Sequence, residues 1–445
     1  MSVSFNSSRL SYPPLNTQNC VAIVLEGVIE NDNLFSEKRI KECANVIAVQ
    51  TGIDYCLAKN IESKVRKIVV APHKLDPRNL NANFANGTVP FLLTKQKKDY
   101  TDLEFAIRKA NAYYQNPQIM VYGGLNGGLD NRIDRTINNL FLLLRDPGKV
   151  FLDSKNEMVF SINSEMKTIH IDVTGYNTVG FFPINGAARN LKVTQYGQDT
   201  DYPLIENEVQ LYHTQPHSNE ITLTLGTGEL IVCLDKRHSS TSGLLHRVFR
   251  PSTDLVGTEL IKVVDYLFKL STGHLDKIKT ENETIFCLKA SQKTYEVDCE
   301  QGQIISLFPF SGPANRVTTN GLLWELANIK ENLNRDYLNK DFVGQSNVSR
   351  LRGFTIRIEQ GQALCFMSKH RNMDILNKNG SAEVLKKQNN DKEERKEGSP
   401  SFASTSSNRS MDDLNLTPPD GTPPQGNFLS QIPKITNLTR THSID

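Results

Sequence analysis

Between residues 20 and 150, short apolar runs alternate with amphipathic stretches, and this alternation constrains the fold more than any other feature of the chain. CVAIVLE (20–26), VIAV (46–49), KIVVA (67–71), VPFLL (89–93) and IMVY (119–122) read as buried strands. SEKRIKECAN (36–45) and DYTDLEFAIRKANAYY (99–114) have the caps and spacing of helices. Repeated strand–helix–strand order specifies a mostly parallel α/β sheet. Such sheets hold ligands beyond the carboxyl ends of their strands.

From about residue 151 the texture changes. MVFSINS, TIHIDV, TVGFFPI, LKVTQY, EVQLYHT, EITLTLG and ELIVCLD are short, β-branched and separated by polar turns, the pattern of an antiparallel β domain. Residues 253–270 read as one helix in a connecting segment. ETIFCLKA, KTYEVDC, QIISLFPF, GFTIRIEQ and QALCFMS then return to the β texture. The expected fold class is α/β + β: an N-terminal mostly parallel α/β domain, two antiparallel β-sandwich-like domains and a disordered C-terminal tail. The expected boundaries are 1–18 for a flexible N-terminus, 19–150 for the α/β domain, 151–237 and 281–370 for the β domains, 238–280 for a helical connector and 371–445 for the tail.

The two β regions resemble each other. TVGFFPINGAARNLKVTQYG (178–197) aligns with IISLFPFSGPANRVTTNG (304–321), about 126 residues on, and PHSNEITLTLGTGELIVCL (216–234) with VGQSNVSRLRGFTIRIEQGQALCFM (343–367). An internal duplication explains this; one β domain with a long insertion is the alternative. Beyond residue 370 the chain is too rich in Pro, Ser and charge to bury a core. Thr417-Pro418 and Thr422-Pro423 in that tail have the form of proline-directed phosphorylation sites.

Fifty-one basic against 49 acidic residues leave a net charge of +2, which gives no strong field for nucleic acid or membrane. The seven cysteines are scattered and never form a CxxC pair, which argues against a disulfide framework or zinc site and for a reducing compartment. The expectation is an intracellular protein, cytoplasmic or nuclear. His213 and His217 flank Pro216 in strand texture, so a turn explains them better than a helical metal pair.

VYGGLNGG (121–128) lacks the GK[ST] of a P-loop and the GxGxxG register of a dinucleotide fold. Its glycines serve a phosphate cradle or a tight turn equally well. Its neighbours sharpen the choice. KDYTDLEFAIRKAN, then IMVYGGLNGG…RIDRTINNLFLLL, then VTTNGLLWEL and GQSN follow in an order that resembles the thiamine pyrophosphokinase family over roughly residues 20–370. That family has K-D-x-T-D-L-E at a helix start, GG-x-GGR-x-D-H-x-x-x-N across a loop and helix, then S-T-x-G-L-x-W-x-L and S-x-S-N. The resemblance implies a homodimer with an α/β domain for Mg-ATP, a β-sandwich, and thiamine at the interface. It also implies pyrophosphate transfer from ATP to thiamine with release of AMP.

Carried onto this chain, the resemblance places Asp99, Thr101 and Asp102 near metal and phosphates, with Lys98 in the same motif. Asp99 and Asp102 are the catalytic candidates if the activity persists, and helix capping is the competing role. Gly123, Gly124, Gly127 and Gly128 fall on the glycine loop. Arg132, Asp134 and Asn139 fit R-x-D-…-N after a four-residue insertion, with Arg135 at the usual His. Thr318, Thr319, Gly321, Trp324, Ser346 and Asn347 fall on the thiamine-side motifs of the second β copy; Trp324 serves a packed core equally well.

The strongest signature, a G-D-F-D-S strand end, is missing. Val70-Ala71-Pro72-His73-Lys74 stands there, and Gln50 stands where an earlier aspartate is expected. His73 and Lys74 are either solvated loop residues or point charges for phosphate. Mg²⁺ is held through one or two carboxylates plus substrate phosphates, so loss of three carboxylates implies the fold without most of the activity. The expected function is a binding or scaffold subunit of a multiprotein assembly, possible assemblies including a nucleic-acid-modifying one. An active thiamine pyrophosphokinase using Mg²⁺ and ATP, and a thiamine or nucleotide sensor, are the alternatives.

Overall fold

The computed structural model describes residues 9–10, 19–25, 34–70, 89, 91–93, 100–125, 132–214, 219–236, 260–280, 282–290, 294–323, 326, 337–338 and 344–372. Strands β2 (Cys20–Val24), β3 (Asn45–Val49), β4 (Val65–Val70), β5 (Phe91–Leu93), β6 (Gln118–Tyr122) and β7 (Val150–Asp153) pair in parallel in the order β7-β6-β2-β3-β4-β5. Every residue of β2 is buried, as a central parallel strand covered on both faces requires. Helices α1 (Leu34–Glu42), α2 (Gly52–Ala58), α3 (Asp102–Tyr113) and α4 (Ile133–Leu143) connect these strands.

The sheet does not stop at β7. β8 (Glu157–Asn163) pairs antiparallel with β7, and the boundary expected between residues 150 and 151 falls inside β7, within one ten-stranded sheet. After β8 come β9 (Thr168–Asp172), β10 (Thr178–Phe182), β11 (Ala188–Gln195), β12 (Gln198–Ile205), β13 (Gln210–His213), β14 (Glu220–Thr227) and β15 (Glu229–Asp235). The order β13-β10-β15-β8 completes the large sheet; β9-β14-β11-β12 forms the facing one, with β1 (Arg9–Leu10) beside β9.

Helix α5 (Leu260–Thr272) and β16 (Lys277–Lys279) lead into β17 (Glu283–Lys289), β18 (Tyr295–Val297), β19 (Gln303–Phe308), β20 (Ala314–Asn320), β21 (Tyr337–Leu338), β22 (Gly344–Val348), β23 (Phe354–Gln360) and β24 (Gln362–Arg371). These pair as β16-β17-β24-β19-β22 and β18-β23-β20-β21. Strand for strand, that is the order of the first module. The helix expected in a connecting segment is buried along one flank at Leu260, Val263, Val264, Leu267, Phe268 and Leu270, so it packs as a layer of the core.

One apolar core joins a face of the α/β sheet, helices α3, α4 and α5, and the inner sheets of both modules. A second fills the other face of the α/β sheet and the first sandwich, and a third fills the second sandwich. Phe141 of α4 stacks on Phe308 of β19 with centroids 5.9 Å apart, and Phe268 of α5 meets Phe310 at 4.8 Å. The tail expected to be disordered lies outside the described residues. No described helix is long and apolar enough to cross a membrane.

Candidate functional site

In the parallel sheet the chain runs outward from β2 to β3, β4 and β5, then returns to the other side of β2 as β6. The strand order therefore reverses between β2 and β6, and the crevice beyond their carboxyl ends is where an open α/β sheet takes a ligand. Leu25 N–H donates to Tyr122 O at 3.0 Å and closes the two strand ends together. Gly123 and Gly124 follow immediately on β6, Gln50 follows β3, and Asp102 opens α3.

Gly123 has φ of +82°, so the chain leaves β6 in a conformation that glycine adopts without strain. Helix α4 holds the loop beyond it. Asn139 Nδ2 donates to Gly124 O at 2.7 Å, and Thr136 Oγ1 donates to Leu125 O at 3.0 Å. Asn139, expected on the R-x-D-…-N motif, is thus a strut of the glycine turn. Gly127 and Gly128 lie outside the described residues.

Thr101 caps α3: its hydroxyl accepts from Glu104 N–H at 3.1 Å. The capping role weighed for Asp102 therefore belongs to its neighbour. Asp102 instead receives Gln50 Nε2 at 2.5 Å on Oδ2. Where the resemblance calls for a second carboxylate, an amide donates to the first. Gln50 itself sits at φ of +53°, a left-handed backbone unusual outside glycine. Among the described residues no group of three His, Cys, Asp or Glu side chains could hold a metal ion. Mg²⁺ takes one or two protein carboxylates plus substrate phosphates and water, and at this crevice the described residues supply Asp102. Lys98, Asp99, His73 and Lys74 lie outside the described residues.

Arg132 and Asp134 are brought together, but in the interior. They are 2% and 1% exposed. Arg132 Nε donates to Asp134 Oδ1 at 3.0 Å, with a second bond from Arg132 Nη2 to Oδ2. Ser306 Oγ of β19 donates to Asp134 Oδ2 at 2.6 Å. Glu283 of β17 accepts Ile133 N–H at 2.6 Å on Oε2 and so sits at the N-terminus of α4, where backbone donors need a partner. Burial of Glu283, with the Asp134 charge beside it, pushes its carboxyl up to about 8. Burial opposes ionisation of Asp134, but the Arg132 guanidinium, the Ser306 hydroxyl and the Arg135 charge together outweigh it and hold that carboxyl below its usual range. This cluster binds the second β module to the end of α4.

In the second module Thr319 is buried and holds the chain beyond it: its N–H donates to Leu326 O and its Oγ1 accepts from Leu326 N–H, both at 2.8 Å. Thr318 beside it is exposed. Gly321 has φ of +99° at the strand end. Asn347 is buried on β22, its Oδ1 accepting Val348 N–H at 2.9 Å; Ser346 precedes it on the same strand. Trp324 lies outside the described residues.

The sequence analysis missed two structural residues. A Cβ on Gly52 would stand 2.1 Å from Val24 O, so only glycine lets α2 start against the end of β2. Glu283 is an ordinary strand residue until the fold brings it to α4. A glycine at a helix start after a buried strand was the available signal for the first; the second had none.

No protein-family model matches the chain, and no curated protein matches it. Solved structures do. Thiamin pyrophosphokinase from Geobacillus thermodenitrificans is similar at 17% identity and a TM-score of 0.40, over 49% of this chain and 99% of that one. The Candida albicans thiamin pyrophosphokinase is similar at 13% identity and 0.39, over 53% and 95% of the two chains. The yeast enzyme is similar at 11% identity and 0.39, over 49% and 86%. At these identities and scores the likeness carries no argument about chemistry, which rests on this chain's own residues. What the comparison adds is that these solved structures belong to the family that the motifs resemble.

Proposed function

We propose that this chain is a non-catalytic relative of the thiamine pyrophosphokinases, serving as a binding or scaffold subunit among other proteins. The observation that carries the reading is the Gln50 amide donating to Asp102 at 2.5 Å at the carboxyl end of the sheet. Metal-assisted phosphoryl transfer depends on carboxylates that fix cations between phosphate oxygens. Here Asp102, one of the two carboxylates the motif retains, accepts from an amide, and that neutral residue stands where a further aspartate is expected. Thr101, Gly123, Gly124 and Asn139 keep the framework of the crevice, so the cleft is preserved while its charge is not. Thiamine and ATP are the small molecules such a cleft would take.

The alternative, an active thiamine pyrophosphokinase, draws on the retention of Asp102 at the crevice. Calorimetric titration of ATP with and without Mg²⁺ separates the two. The proposal expects ATP heats and affinity that are the same with and without the ion. An affinity that rises tenfold or more with Mg²⁺, and returns to the ion-free value in Asp102→Asn, would sink it.

A further inference from the structure

The repeat is longer than the β strands. INNLF (137–141) of α4 corresponds to VDYLF (264–268) of α5, 127 residues on, and EMVF (157–160) of β8 to ETIF (283–286) of β17, 126 residues on. Between them β7 pairs with β8 as β16 pairs with β17. The backbone repeats in detail. Asn190 and Arg316, 126 residues apart, take φ of +55° and +51°. A Cβ on Gly228 would meet Ala187 O at 2.6 Å, and one on Gly361 would meet Pro313 O at 2.3 Å, Ala187 and Pro313 again being equivalent. The repeated unit is thus a helix, a strand and an eight-stranded sandwich.

Contacts between the two units are reciprocal. Glu283 of the second unit accepts Ile133 N–H at the start of α4 at 2.6 Å; Glu157 of the first accepts Leu260 N–H at the start of α5 at 2.7 Å. Ser306 of the second unit bonds to Asp134 on α4. Its equivalent in the first unit, Gly180, faces Ile261, the equivalent of Asp134 on α5: a Cβ on Gly180 would lie 3.0 Å from the Ile261 side chain. One pair is polar and the other apolar, but the positions are the same. Near the centre, Ser311 N–H donates to Ile184 O at 3.0 Å, and Ile184 is the equivalent of Phe310 next to Ser311. Contacts in which residue i meets j while the copy of i meets the copy of j define a two-fold, isologous interface.

We infer that the chain is a dimer fused into one polypeptide, with its second repeat occupying the face that a second copy would otherwise take. The fusion is lopsided. Strands β2 to β6 precede α4, whereas only residues 236–259 separate β15 from α5, far too few for a second five-stranded half. One chain therefore carries one crevice, and the surface for pairing with a like chain is filled from within. That single-site stoichiometry rests on the cleft proposed above; the interface does not.

The test is the double variant Ile184→Cys/Ser311→Cys in the full chain, oxidised and run on a non-reducing denaturing gel beside oxidised wild type. A new cross-link within one chain, at the mass of a single polypeptide, is expected. A cross-link that joins two chains, or none beyond the wild-type pattern, would overturn the inference. Wild type supplies a readout that needs no variant: an internal interface keeps Tm constant over a hundredfold dilution, whereas one shared between chains makes Tm fall. Neither readout involves ligand, so failure here and failure of the proposed function are told apart.

Discussion

Asp102 shows how one neighbour changes what a carboxylate can do. Gln50 donates an amide hydrogen bond to it, so the neighbour this side chain meets is neutral. Gln50→Glu would set two carboxylates against each other, a like-charge pair that disfavours ionisation of one of them. The expected outcome is a loss of about 1–2 kcal/mol at pH 7 that Mg²⁺ restores, read as a metal-dependent rise in Tm absent from wild type. No response to the ion would show that geometry as well as charge has been lost. Glu283 is the second case. Its folded carboxyl titrates at about 8, pushed up first by burial and then by Asp134. A free glutamate titrates near 4.3. Between those values the native state binds more proton than the unfolded state, so stability is fully present below the lower value and declines as pH rises through the upper one. Glu283→Gln cannot ionise, and a denaturation series from pH 5 to 8.5 should show a flatter decline than wild type. An unchanged slope would place the titration elsewhere.

At the scale of elements, helix α2 depends on a single missing side chain. Gly52→Ala would drive a methyl into Val24 backbone, which cannot rotate away, and overpacking of this kind costs about 1–3 kcal/mol. Thr101→Ala removes the cap of α3 and about 1 kcal/mol with it. Chemical denaturation of both variants checks the order: Gly52→Ala should be the more damaging. The strands were legible because β2, β3, β4 and β6 are apolar runs bounded by polar turns, and the first module's strands are short β-branched runs between polar turns, β9 and β14 alternating in burial. Helix α2 was not, since GIDYCLA is too short to show a period. That α3 begins with a cap was legible, but the residues weighed for it were Asp99 and Asp102, and Thr101 is the one that caps. The pairing of Gln50 with Asp102 and of Glu283 with Ile133 spans 52 and 150 residues, and no local pattern encodes such distances.

For the molecule as a whole, the duplication visible in FFPI and LFPF extends into α5 and β16, where the sequences have drifted and the strand pairing carries most of the kinship. Arg132 and Asp134 show the consequence for the site. Their motif suggests phosphate, whereas the fold commits them to each other, to Ser306 and to the joint between repeats. A chain that needs those charges for its own assembly has fewer left for chemistry, which agrees with the amide at Gln50. The most direct test is AMP release by the purified chain with thiamine, ATP and Mg²⁺, run beside Asp102→Asn. The account expects no turnover above the no-enzyme rate in either protein. Turnover in wild type that vanishes in the variant would contradict it, and Asp102 would then be working on a metal despite its amide partner.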